Sequence, residues 1–376
     1  MTRLAIFLAL AVALARADGQ SEPAPRTLTA LPLQLTVDLA QVAAVRELAN
    51  GHLLISDAGA PAILVIDPSS NAVRRLGREG RGPNEFVRPG GIYYDLDGTT
   101  SLIVDRGQAR VFVVDRNGVL TSMKSIEQRG SQRAADAYDP LRIDAALHTY
   151  FVEQGAVFRA NAGRGGDSIP LIRFDVGQQK PDTIAQLFLT KPTIVSTQGR
   201  MTFSRTPIFS PADSWAVASD GSVALVRSEP YRVDWLSPTG QRTVGPAISY
   251  SPVPVTDADK QPAEGSGTAS IGGGPVGGKQ TTMSTADIKP EYAKVKPAFD
   301  PLDLAIAPDG RLWVGRQEPA GAKQALYDVF DRKGARVDRV ALPGRSRVVG
   351  FGPSAVFVAE LDDDDLPKIK KYRLTG

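Results

Sequence analysis

The sequence predicts an all-β protein, a six-bladed β-propeller of four-stranded antiparallel blades closed by an N-terminal strand. Three observations lead there. A unit of tight turn, apolar strand, brief loop and second apolar strand recurs six times along 376 residues. The turns stand 47 residues apart from Asn50 to Asp97 and 44 apart from Asp309 to Pro353, the period of sheets set radially around an axis. The 36 glycines and 28 prolines suit a chain that turns often.

The elements follow in chain order. Residues 1–17 read as a secretory signal, with Arg3 as the basic start, an apolar run from Leu4 to Leu14 and the small residues of Ala15-Arg16-Ala17 for cleavage. The run is too short to span a bilayer; the alternative is a short membrane anchor. Residues 18–30 (DGQSEPAPRTLTA) have little to bury and read as a flexible lead-in. The apolar alternation at 33–39 (LQLTVDL) is the strand expected to complete the last blade. Residues 31–376 then form one propeller domain, with a Gly/Pro/Ser-rich insertion at about 251–296 expected to be a mobile loop.

Each repeat has the same physical logic. Asn50-Gly51, Asp97-Gly98, Asp220-Gly221 and Asp309-Gly310 accept positive φ and favour hairpin turns. Nearly continuous apolar runs such as LLISD and FVVD, each ending in a polar residue, suit strands covered on both faces. The stretches VAAVREL, GGIYYDL, PLRIDAAL, DSWAVAS, PLDLAIA and RVVGFG precede the turns and supply six innermost strands. The third copy, around Thr149–Gln154, is the weakest.

The stretch LGREGRGPNEFVRPGGIYYDLDG (76–98) resembles the interblade linker of secreted six-bladed, NHL-like propellers, on Gly77, Gly80, Gly82, Pro83, Glu85, Phe86, Pro89 and Gly91. PAFDPLDLAIAPDGRLWVGR (297–316) resembles another unit of that family. The resemblance implies the propeller architecture and a secreted protein, and leaves the activity open.

Composition excludes much chemistry. No cysteine means no disulfide framework, thiolate zinc site, iron–sulfur cluster or cysteine nucleophile. Two histidines, His52 and His148, exclude a multi-His metal site; both read as structural. No G-x-S-x-G elbow appears. The net charge of +3 falls to about +1 once Arg3 and Arg16 leave with the signal, so no basic stripe points to nucleic acid. The 273–280 run GGPVGGKQ approaches a phosphate-cradling loop, but Gln280 replaces the magnesium-binding hydroxyl and no apolar strand precedes it. Ser284 and Asp287 could cap a short helix. Asp362–Asp365 read as a solvated acidic loop rather than a calcium loop.

Blade geometry places the interblade linkers and the loops between second and third strands on one end of the ring. Arg81, Arg88, Arg106 and Arg316 fall at that end and are the candidate site for an anionic or polar ligand, since guanidinium forks suit carboxylates and phosphates. The same arginines could instead tie blades together through Asp and Glu. The expected function is an exported, periplasmic or extracellular, non-catalytic binding protein. It would be monomeric, need no cofactor, and recognise a protein, peptide or glycan, with no nucleic acid and no membrane span. The alternative is a calcium-dependent hydrolase or lyase of lactonase type in the central channel. Arginine and apolar side chains on the axis favour the first; converging carboxylates favour the second. The signal reading predicts a mature chain starting at Asp18, and an intact Met1 in the mass spectrum of the exported protein would overturn it.

Overall fold

The computed structural model describes residues 24–374 except 97, 109, 127–137, 153–165, 176–180, 199–200 and 261–289. Among them the one helical element is a 3-10 turn at Asp257–Lys260; the other elements are strands. The antiparallel sheets are arranged as in a propeller. Repeat 2 is a four-stranded sheet of Pro89–Tyr94, Ser101–Asp105, Arg110–Val114 and Leu120–Ser125. Repeat 3 is Tyr138–Ile143, Thr149–Val152, Ser168–Phe174 and Asp182–Phe188, and repeat 4 is Ser214–Val217, Val223–Ser228, Tyr231–Leu236 and Arg242–Val244. Repeat 5 is Phe299–Ile306, Leu312–Arg316, Gln324–Phe330 and Arg336–Pro343, with Arg26–Thr27 added in parallel at its outer edge.

Repeats 1 and 6 depart from the expectation of six separate sheets. Val42–Glu47, Leu53–Asp57, Ala62–Asp67 and Ala72–Leu76 share one eight-stranded sheet with Ser346–Phe351, Ala355–Leu361, Pro367–Arg373 and Ala30–Leu31. The join is a short parallel pairing of the two innermost strands, Gly350 with Val45 and Phe351 with Arg46. A Cβ at position 350 would lie 1.7 Å from the Val45 carbonyl oxygen, so only glycine allows the backbones this close.

Burial follows position within a repeat. The second strands LLISD and SLIVD are buried along their whole length. The fourth strands AVRRL and LTSMKS are mostly exposed, and their Arg and Lys side chains discourage a further strand from pairing. Between the repeats lie apolar clusters. Leu54, Ile63 and Val65 of repeat 1 meet Ile103, Phe112 and Val114 of repeat 2. Leu171 and Tyr150 of repeat 3 meet Trp215 and Leu225 of repeat 4. Val226 and Tyr231 of repeat 4 meet Phe299 and Phe330 of repeat 5, and Trp313 of repeat 5 meets Val358 of repeat 6. The series returns to its start where Phe357 and Ile369 of repeat 6 pack on Ile55 and Leu64 of repeat 1.

Two expectations for the N-terminal segment are corrected. Residues 33–39 form no strand. The edge of Pro367–Arg373 is taken by Ala30–Leu31, pairing with Tyr372 and Lys371. The alternation at 33–39 reflects burial without a ladder: Leu33, Leu35 and Val37 pack side chains on the cluster between repeats 6 and 1. Residues 24–30, at the end of the expected flexible lead-in, are held. Arg26–Thr27 pairs with Val340 and Ala341, Arg26 meets Asp338 at 2.6 Å, and Leu28 is buried. A hairpin of Thr193–Gln198 with Met201–Arg205, between repeats 3 and 4, was not anticipated. The two ends of the insertion are pinned by pairing of Val253–Pro254 with Val295–Lys296 and by Lys296 on Asp259 at 2.5 Å; the phosphate-loop and helix-cap motifs lie outside the described residues, as does the signal.

Because Leu28 fills the cluster between repeats 5 and 6, Leu28→Ala should destabilise the protein by about 3 kcal/mol. Urea unfolding checks this, and a loss within error of zero would show that the segment only rests on the surface.

Candidate functional site: the axial channel

The channel is built by the joints that hold each innermost strand. The second strand of a repeat runs back to the linker end, and its last residue ties down the chain entering that repeat. In repeat 1 this residue is Asp57, whose carboxylate accepts from Ala40 N at 2.8 Å and Gln41 N at 2.9 Å. In repeat 2 it is Asp105, accepting from Val87 N at 3.1 Å and Arg88 N at 2.8 Å. In repeat 4 the polarity reverses: Ser228 N donates to Asp213 of the incoming chain at 2.9 Å. In repeat 5 the second-strand residue is again the donor: Arg316 Nε donates to Ala298 O at 2.6 Å.

The linker 77–91 is shaped by its own contacts. Gly77 (φ 66°) has no room for a Cβ beside the Asn84 carbonyl, at 2.2 Å. The Glu85 carboxylate accepts from Gly82 N at 2.5 Å and Arg78 Nε at 2.7 Å, and these bonds hold it below the usual carboxylate range.

One cavity of about 620 Å³ runs along the axis. Its wall takes residues from all the innermost strands: Val42–Val45, Gly90–Tyr94, Leu141 and Arg142, Ala216 and Val217, Leu304–Ile306, and Arg347–Phe351. Most of the wall is apolar or backbone. Its charged members are Arg88, Arg106 and Arg347 at the linker end, Arg142 along the wall, and Arg332 with Asp220 at the hairpin end. Leu302, 75% exposed, also lines the channel.

The structure therefore separates the four arginines expected to act together. Arg88 and Arg106 line the channel. Arg81 is exposed on the linker, away from the channel wall. The side chain of Arg316 is 6% exposed in repeat 5. Its guanidinium donates to Asp328 at 3.0 Å and lies 5.5 Å from the Tyr231 ring, while Asp328 also accepts from the Tyr231 hydroxyl at 3.0 Å. It joins repeats 4 and 5 and is part of the scaffold. Arg142 and Arg332 were missed. Arg142 could have been found as a charge between Leu141 and Ile143 in an innermost strand; Arg332 sits in a polar turn and carries no such signal. Among the described residues no three His, Asp or Glu side chains converge as metal ligands. The Asp362 carboxylate turns onto its own loop, accepting from Asp364 N and Leu366 N.

A second pocket of about 260 Å³ opens at the hairpin end, sharing Leu96, Ser219 and Asp220 with the channel wall. Its floor holds His148, whose Nδ1 lies 2.6 Å from Asp144 and whose Nε2 lies 3.7 Å from Asp175. Behind the channel wall at the other end, burial pushes the Asp303 carboxyl up to about 7, and the Tyr327 hydroxyl donates to it at 2.5 Å.

No protein-family model matches the chain, and no curated protein is significantly similar to it. Solved structures resemble it at low identity. A protein of Bacteroides fragilis classed as exported is 12% identical, with a TM-score of 0.47 over 93% of this chain and 95% of that one. A DUF4221-family member from Bacteroides vulgatus is 9% identical, with a TM-score of 0.48 over 94% and 98%. A gluconolactonase from Xanthomonas campestris is 11% identical, with a TM-score of 0.43 over 94% and 95%.

Two predictions follow from the joints. Asp105→Ala strands buried linker amides and should cost about 3 kcal/mol, whereas Arg88→Ala should stay within about 0.5 kcal/mol; equal losses in chemical unfolding would mean that Arg88 is scaffold too. Asp303 binds its proton more tightly folded than unfolded, so its contribution to stability should fall as pH rises from about 4 to about 7 and then level off. Asp303→Asn should flatten that slope between pH 4.5 and 7, and an unchanged slope would assign it to other groups.

Proposed function

We propose that this is an exported, non-catalytic binding protein of six-bladed propeller form that recognises an anionic ligand in its axial channel. The observation that carries this reading is the channel wall. It is apolar and backbone surface set with Arg88, Arg106, Arg142, Arg332 and Arg347, against the single carboxylate of Asp220. Guanidinium groups on an apolar wall suit a carboxylate or phosphate, because the wall lowers the local dielectric and the fork matches both oxygens. A lactonase-type metal would need carboxylates facing the axis with an open position. The nearest candidates are otherwise engaged, Asp57 and Asp105 on linker amides and Asp328 on arginines.

The count of six rests on the eight-stranded sheet. It divides at the two-residue parallel contact into Val42–Leu76 and Ser346–Arg373, and the second part gains its outermost strand from Ala30–Leu31. Export rests on the leader read in residues 1–17, and the monomeric state on the exposed, charged outer strands.

The test uses citrate and pyrophosphate as probes in isothermal titration. Both should bind the wild-type protein, and Arg88→Ala/Arg106→Ala should weaken them at least tenfold while shifting the melting temperature little. Equal binding by the double variant would overturn the site. Calcium should leave the melting temperature unchanged, since a bound ion would raise it by mass action; a rise that EDTA reverses would favour the metal-dependent reading.

A further inference from the structure

A buried polar joint ties the innermost strands of repeats 5 and 6 together beside Arg347 of the channel wall. Its centre is the Asp303 carboxyl, on the innermost strand of repeat 5. Asp303 accepts from the Tyr327 hydroxyl at 2.5 Å, and the Tyr327 oxygen accepts from Val348 N at 2.9 Å, on the innermost strand of repeat 6. A hydroxyl has one proton, so the Tyr327 proton points at Asp303 and a lone pair takes the amide. Gly315 of the second strand packs directly on the carboxyl: a Cβ there would lie 2.2 Å from an Asp303 oxygen. Arg347 precedes Val348 in the chain, and its exposed side chain lines the channel.

A packed site with one hydroxyl donor is a poor place for a carboxylate charge. Among the described residues the Asp303 carboxyl accepts no second hydrogen bond and meets no cation at ion-pair distance. The charged groups that act on it are Arg347 from repeat 6, which favours the ionised form, and Asp300 from its own strand, which opposes it; burial outweighs Arg347 and brings the titration near neutral pH. Tyr327, held well above the ordinary tyrosine range by burial and by Asp303, keeps its proton throughout. Neither Arg88 nor Arg106 acts on Asp303, so Arg347 is the link between this carboxyl and the channel.

We propose that Asp303 is a positioning residue of the channel's anion site and couples anion binding to the uptake of a proton. Neutral, Asp303 leaves the Arg347 guanidinium to an anion in the channel. Ionised, it competes with that anion for Arg347 and sets a negative charge behind the wall. An anion on Arg347 in turn offsets the field that favours ionised Asp303, so binding draws a proton onto the carboxyl; the coupling is reciprocal. Affinity should therefore fall as pH rises through about 7 and level off above it. The inference rests on the anion-binding reading above and adds the regulation of that site.

Titration calorimetry with citrate at pH 5.5, 7 and 8.5, on the wild-type protein and on Asp303→Asn, tests this. Comparing two proteins with one probe cancels the probe's own titration, and Asp303→Asn holds the neutral form at every pH. The two should bind citrate equally at pH 5.5, and the variant should bind about threefold more tightly at pH 8.5, the scale of one part-screened charge contact. At pH 7, titrations in buffers of different ionisation enthalpy should show the wild-type protein taking up more protons than the variant. In an Arg347→Ala background, Asp303→Asn should leave the affinity unaltered at every pH. Thermal melts establish that each variant is folded; should Asp303→Asn fail to fold, proton uptake is compared between wild type and Arg347→Ala, and equal uptake overturns the coupling. An affinity ratio that does not change with pH overturns the coupling and leaves the anion site standing. A pH-dependent ratio that persists without Arg347 overturns the role given to that arginine, and the proposal with it. No citrate binding to either protein at any pH overturns the anion site as well.

Discussion

The second strands of the repeats are apolar on both faces, and that constraint organises the molecule. A strand such as Leu53–Asp57, buried from end to end, cannot be satisfied by one neighbouring sheet. Its inward-leaning residues pack on repeat 2 and the alternate ones on repeat 6, as Leu54 and Ile55 fall into different clusters. The same holds around the axis, each repeat lending one face to the cluster before it and one to the cluster after. A single repeat in water would expose half of its apolar surface on either side, so stability is a property of the complete series. The chain accordingly uses a few N-terminal residues against partners far away in sequence. Two short segments, Arg26–Thr27 and Ala30–Leu31, finish the outer edges of repeats 5 and 6, with Leu28 between them in the core.

Radial packing leaves the ends of the strands to be managed separately, and here polar chemistry takes over. In repeats 1, 2, 4 and 5 the last residue of the second strand meets the chain entering the same repeat. The solution is an aspartate accepting backbone amides at Asp57 and Asp105, a serine amide donating to Asp213 at Ser228, and a guanidinium donating to a carbonyl at Arg316. One geometric need is met by three chemistries. An arginine at this position is therefore scaffold, even though it shares the end of the ring with arginines that face the channel.

Charge is distributed locally rather than globally. The chain is close to neutral, yet arginines gather at the linker end of the axis and carboxylates at the hairpin end. Within a channel such a distribution produces a stronger field than on an open surface, because low-dielectric walls confine it. Net charge carries no trace of it.

The all-β class and the recurring antiparallel strands were legible in the sequence by itself, because turn chemistry and apolar runs are local. The linker motif, with Gly77 and Glu85, was legible for the same reason. Only the tertiary structure decided which arginines share a space. Arg106 and Arg316 each close a second strand, at its end or one residue past it, and look alike in sequence; Asp328, 12 residues from Arg316, draws the latter inward, while Arg106 faces the axis. Residues 33–39 show the same limit. Alternation records which side chains are buried, but whether the backbone also pairs depends on where a distant edge lies, and the edge of Pro367–Arg373 is occupied by Ala30–Leu31. The second pocket was beyond sequence reading altogether, since Asp144 and His148 come from repeat 3 and Asp220 from repeat 4, and only the packing of the two repeats brings them to one mouth.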